Sequence, residues 1–222
     1  IVFGDWSSDV CSSDLVLLAS GQLVVATLVT LRSLALCMVL SLTGGLALGI
    51  AAYRWKWLEH ALHPLTVMLE QAPTIAWLVL AILWLGLGVG PAILVGDSMA
   101  LPLYYLATVH GLRQVDSGYF DMAQVFALSS STRLRKILLP SLVPTLVGTS
   151  SGALSVAWRG IIMAEAFAST VGLGPLLWGE YLFGNIATVY AMVLWILVLG
   201  LIVEYGLVHP VRVAVYRSMS NA

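Results

Sequence analysis

Charge is what this sequence has least of. Asp, Glu, Lys and Arg make up 9% of its 222 residues, against 60% hydrophobic residues. A water-soluble domain of this length carries about 25% charged residues. So few charges cannot cover a water-facing surface, which excludes a soluble globular enzyme and a disordered tail. The formal net charge is −1, so the basic excess of a nucleic-acid binder is missing too. Cysteine is nearly absent. Cys11 and Cys37 stand alone, at no metal-ligand spacing, which argues against a disulfide framework or a zinc site. What remains is an all-α, polytopic membrane protein, a bundle of transmembrane helices.

Residues 1–15, IVFGDWSSDVCSSDL, do not match this character. They hold Asp5, Asp9 and Asp14 and begin with Ile1. They are too polar for a signal-peptide core and lack its basic start. The string from Asp5 to Leu15 resembles translated sequencing-adapter DNA. Residues 1–15 are therefore expected to be a non-native leader; a polar N-terminal tail is the alternative. Without them the chain has ten bases against eight acids.

A crossing helix needs about 20 mostly apolar residues. Five spans are expected, over residues 33–53, 73–89, 92–110, 142–164 and 186–208. Residues 16–32 read as an interfacial approach or the remnant of another span. Gly45 and Gly49, four apart, suit close packing of the first span on a neighbour. Arg54, Lys56, Glu59, His60 and His63 mark a polar elbow over 54–72, and residues 86–91 a tight turn. Asp97 and Pro102 are expected to interrupt the third span. Residues 165–185 read as a Gly-rich loop with a short re-entrant helix.

Five spans sort the connections onto two sides. One side receives Arg54, Lys56, Arg113, Arg133, Arg135, Lys136, Arg212 and Arg217, eight of the ten bases. The 86–91 turn and the 165–185 loop on the other side hold none. By the positive-inside rule, residues 112–140 and the C-terminus are cytoplasmic. No internal repeat is visible, which weakens a carrier built from inverted repeats.

Residues 112–140 are the most polar native stretch. Asp116 suits the N-cap of a short helix over 117–127. Ser129, Ser130 and Ser131 break it, and a second short helix is expected over 132–139. Pro140 then redirects the chain into the next span. This segment resembles the EAA loop of bacterial ABC-importer permeases: E-A-A, three residues, G, nine residues, I-x-L-P. Ile137-Leu138-Leu139-Pro140 closes the pattern without a gap. Asp121 stands for the leading acid, Ala123 keeps the second alanine, and Ala127 falls on the glycine. Three further passages resemble the nitrate, sulfonate and taurine permease subfamily: Ala72-Pro73-Thr74-Ile75-Ala76 with Ile82-Leu83-Trp84-Leu85-Gly86; His110-Gly111-Leu112-Arg113 leading to Asp116; and Ala164-Glu165 with Gly172-Leu173-Gly174. The resemblance spans residues 22–217. That family usually has one more N-terminal span, whose place falls on residues 1–20, so the chain is expected to be truncated at its start.

The resemblance implies a type I ABC-importer permease domain over 16–217, with 218–222 as a tail, in the bacterial inner membrane. Its partners would be cytoplasmic ATPase subunits, a periplasmic or lipid-anchored substrate-binding protein, a second permease copy and the lipid bilayer. It implies no cofactor of its own, no covalent catalysis and no nucleic acid. The chain has no G-x-x-x-x-G-K-[ST] phosphate loop, so a partner would use the ATP. The subfamily points to a nitrate-, sulfonate- or taurine-like anion, with a thiamine-precursor pyrimidine as the alternative.

For coupling to the ATPase, the candidates are Asp121, Ala123, Ala127, Arg133, Ile137 and Pro140. Arg133, with Arg135 and Lys136, serves equally well as a topology determinant. For the substrate pathway they are Arg159, Trp84 and Glu165. A base inside a span usually faces protein or water, so Arg159 either meets an anionic solute or pairs with Glu165 or Asp97. Trp84, Trp77 and Trp158 line the pathway or pack the core. An ion-driven secondary carrier and a membrane-embedded enzyme are the competing classes. The second lacks any H-E-x-x-H, G-x-S-x-G or histidine cluster.

Overall fold

The computed structural model describes residues 21–115, 132, 136 and 138–220. Every regular element among them is helical. They are α1 (Gln22–Arg54), α2 (Lys56–Gln71), α3 (Thr74–Leu85), α4 (Val89–Arg113), α5 (Leu139–Ala168), α6 (Leu173–Leu182) and α7 (Ile186–Val203). A π-helical turn, Glu204–Val208, joins α7 to α8 (His209–Ser220). Three stretches are long and apolar enough to cross a membrane unaided: α1, α4 and Ile186–Val215. The pairs α2–α3, bent by 104°, and α5–α6, bent by 56°, bring the total to as many as five.

α4 packs most extensively, against α1 on one side and α5 on the other. Helices in lipid associate by close packing rather than by escape from water, and small residues permit it. The inner face of α1 is accordingly small: Ala26, Thr30, Ser33, Cys37, Ser41, Gly45, Gly49 and Ala52 are all buried. A Cβ at Gly45 would lie 2.5 Å from Tyr104 Cβ, and one at Gly49 would lie 2.5 Å from Thr108 Cβ. The four-residue spacing seen in the sequence is thus the α1–α4 contact. Across α4, Gly96 and Gly160 let α5 approach in the same way, against Ile161 and Met99.

Arg113, at the end of α4, forms an ion pair with Glu59 on α2. Gly111 faces Leu142 near the start of α5. The end of α1, the start of α2, the end of α4 and the start of α5 therefore meet at one end of the bundle.

Several expected boundaries need correction. Residues 22–32 are not a separate approach: α1 runs unbroken for 33 residues, because nothing in that stretch breaks a helix. The polar elbow is the helix α2, and the second apolar segment holds only the 12 residues of α3. α4 is not interrupted: Pro102 lies within it, and Asp97 accepts a 2.6 Å hydrogen bond from Ser41 on α1. Glu165 belongs to α5, not to the loop after it.

Candidate functional site

Arg159 lies two thirds of the way along α5, inside an apolar helix. It is exposed, and its Nε donates to Ser155 O on its own helix at 3.1 Å. It does not pair with Glu165 or Asp97, whose carboxyl groups are bonded to Thr30 and Ser41. Its side chain reaches two cavities. The smaller, about 280 Å³, also takes Thr74, Met99 and Met163. The larger, about 670 Å³, opens between α5 and α7 and carries Ser151, Ser155, Trp158, Glu204 and Tyr205.

Of the other pathway candidates, Trp84 is 62% exposed on α3 and lines neither of those cavities. Trp158 is half-buried, packs on two core clusters and walls the larger cavity. Trp77 packs against the core, with its indole Nε1 buried and without a partner among the described residues.

Glu165 is fully buried. Thr30 donates to its Oε2 at 2.6 Å, and the amide of Gly174 donates to the same oxygen at 3.5 Å. The Leu173 amide in turn donates to Thr30 Oγ1 at 3.0 Å. The group therefore sits at the N-terminus of α6, where helix amides lack partners within the helix. Gly172 has φ 133°, and a Cβ there would lie 2.5 Å from Glu165 Oε2. The Ala164-Glu165 … Gly172-Leu173-Gly174 passage is therefore a joint between α1, α5 and α6. Its Oε1 is buried with no partner among the described residues.

Pro140 falls in the first turn of α5, where a proline costs no helix hydrogen bond. The other coupling candidates, Asp121, Ala123, Ala127, Arg133 and Ile137, lie outside the described residues.

Glu204 was not singled out by sequence reasoning. It accepts a 2.5 Å hydrogen bond from Ser151 and shares the larger cavity with Arg159. The available signal was plain: it is the only acid in residues 186–208.

The family model for the binding-protein-dependent transport system inner membrane component matches residues 41–209. Similar proteins include SsuC of Bacillus subtilis, named for aliphatic sulfonate transport, 30% identical over 83% of this chain. The nitrate import permease NrtB of Synechocystis is 29% identical over 72%, and the bicarbonate transport permease CmpB of the same organism 28% over 74%. The chain spans 67%, 58% and 59% of these relatives' lengths, in that order. Among solved structures, a chain of the inward-facing MetNI methionine ABC transporter shares the fold. It has a TM-score of 0.73 and 18% identity, over 89% of this chain and 97% of that one.

Proposed function

Because this chain belongs to the family of binding-protein-dependent transport system inner membrane components, we propose that it is the permease subunit of an ATP-driven importer of a small anion. It is a multi-pass inner-membrane protein. The observation that carries the substrate class is Arg159. On insertion scales an arginine at the centre of a spanning helix costs about 2.5–3.5 kcal/mol. Such residues face cavities or partners and mark solute routes. Arg159 is exposed to two cavities and, among the described residues, bonds only to its own helix. A guanidinium held this way offers forked donors to nitrate, sulfonate or carboxylate groups. The anions named for SsuC, NrtB and CmpB favour the same chemistry.

A cytoplasmic ATPase would supply the energy and a binding protein would deliver the solute. A second permease copy would complete the pathway. Residues 112–140 would face the cytoplasm and dock on the ATPase through Asp121, Ala123, Ala127, Arg133, Ile137 and Pro140. Closure of the ATPase dimer would then rock the spans between two states.

The test is ATP-dependent uptake by the complete transporter in proteoliposomes. Arg159→Gln is expected to reduce anion uptake about tenfold or more, with Arg159→Lys intermediate. Uptake unchanged by Arg159→Gln at equal insertion would remove Arg159 from the route. Ala127→Trp is expected to leave ATP hydrolysis without uptake. Normal uptake by that variant would refute the docking assignment.

A further inference from the structure

We infer that Glu59 and Arg113 are positioning residues of the transport cycle: their ion pair makes the α2–α3 arm follow the segment after α4, so that movement there reaches a wall of the Arg159 cavity. This rests on reading residues 112–140 as the segment that docks on an ATPase.

The pair sits where that segment begins. Arg113 is the last residue of α4, and Glu59 lies in the first turn of α2. The Arg113 guanidinium donates to Glu59 Oε1. One turn further along α2, Leu62 packs against a cluster of Ala52, Tyr105 and Val109. Residues three apart share a helix face, so the ion pair and the apolar contact form one seam. Little else holds α2: of its 16 residues only Thr66 is buried. α4 is the opposite case, with 13 of its 25 residues buried. A displacement at the end of α4 cannot slide along α4 without repacking α1 and α5, whereas α2 is free to follow it. Exposed ion pairs add little stability, so what this one supplies is direction.

The other end of the arm is at the cavity. Pro73 has no amide hydrogen, and it holds Ala72 before it in extended backbone. α2 and α3 are therefore two rods joined by a two-residue elbow and bent by 104°. Thr74, the first residue of α3, lines the cavity of about 280 Å³ beside Arg159, and its Oγ1 lies 4.0 Å from Met99 Sδ. The far end of α3 is pinned just beyond its last turn: the Gly88 amide donates to Ala168 O at 2.7 Å, at the end of α5. A rod fixed at one end and steered at the other swings, and the end that swings carries Thr74. Rigid elements joined by paired or packed contacts carry coupling between distant sites. Here they run from Arg113 through Glu59, α2 and the elbow to Thr74.

The experiment uses the full permease with its ATPase subunits in lipid nanodiscs, with Cys11 and Cys37 replaced by serine. Thr74→Cys reports on the steered wall, and Ser155→Cys, exposed on α5 one turn from Arg159, on the opposite one. Each is labelled with a small methanethiosulfonate, with and without ATP and vanadate, so no solute is needed. With the pair intact, nucleotide should change the labelling rate at both sites. Glu59→Gln and Arg113→Gln should each shrink the change at Thr74→Cys about two- to fivefold, the scale of one partly exposed ion pair. The change at Ser155→Cys should stay as it was. Exchanging the charges, Glu59→Arg with Arg113→Glu, should restore the response. A pair that only stabilises would alter labelling equally with and without nucleotide. That result, a full response at Thr74→Cys without the pair, or an exchange that restores nothing overturns the role of the pair. The docking reading then survives on the response at Ser155→Cys. If nucleotide changes neither site with the pair intact, that reading falls, and the role of the pair with it.

Discussion

At Gly45 the backbone of α1 comes so close to α4 that even one methyl group has no room. Its Cβ would meet Tyr104 Cβ at 2.5 Å and the Tyr105 amide nitrogen at 2.9 Å. The second of these is backbone and cannot swing aside. Gly45→Ala is therefore expected to cost about 1–3 kcal/mol, the range for overpacking a filled contact. At Gly179, where nothing lies within 4 Å, the same change should stay within about 0.5 kcal/mol. Unfolding of the purified chain in mixed micelles measures both; equal losses would show that the α1–α4 contact yields. Gly45 and Gly49 were legible because the signal is local, two small residues four apart in an apolar run. Arg159 was legible for a similar reason, as a lone base within a span. Its pairing was not, because the partners of Glu165 and Asp97 are Thr30 and Ser41, far away in sequence.

Among the elements, α6 depends most on a few atoms. Thr30 Oγ1 both donates to Glu165 and accepts from the Leu173 amide, tying three helices through one hydroxyl. Thr30→Val keeps the shape but removes both bonds, leaving the buried carboxyl with only the long 3.5 Å bond from the Gly174 amide and the Leu173 amide unpaired. Unpaired buried groups cost about 1–3 kcal/mol each. The expected result is faster hydrogen exchange at the Leu173 and Gly174 amides, with Thr30→Ser close to wild type. Indistinguishable exchange in the two variants would mean that the joint is held by packing alone. The sequence suggested a loop here because Gly172 and Gly174 dominate the local composition. It could not show that α5 continues to Ala168 or that both glycines are needed for closeness to Glu165 and its helix.

At the scale of the whole molecule, the ends of the bundle are chemically unequal. Arg54, Lys56 and Arg113 gather where α1 and α4 end, beside the start of α5, and the Arg113–Glu59 ion pair fastens that end. The α5–α6 joint, more than 20 residues along α5, and the α6–α7 turn over 183–185 carry no Lys or Arg. Basic segments near spans are retained on the cytoplasmic side, so the basic end is expected to face the cytoplasm and the α6–α7 turn to face outward. Five crossings, with each bent pair taken as one, are needed for this arrangement, and the helix lengths allow them. The prediction can be read without any transport assay. In a background with Cys11 and Cys37 replaced by serine, Asn185→Cys should react with a membrane-impermeant maleimide added to intact spheroplasts. Gln114→Cys, exposed at the opposite end, should react only after the membrane is opened. The reverse pattern would invert the molecule and place residues 112–140 where no ATPase could reach them. Labelling of both sites from outside would mean that an odd number of crossings does not separate them, so that α5–α6 does not act as one span.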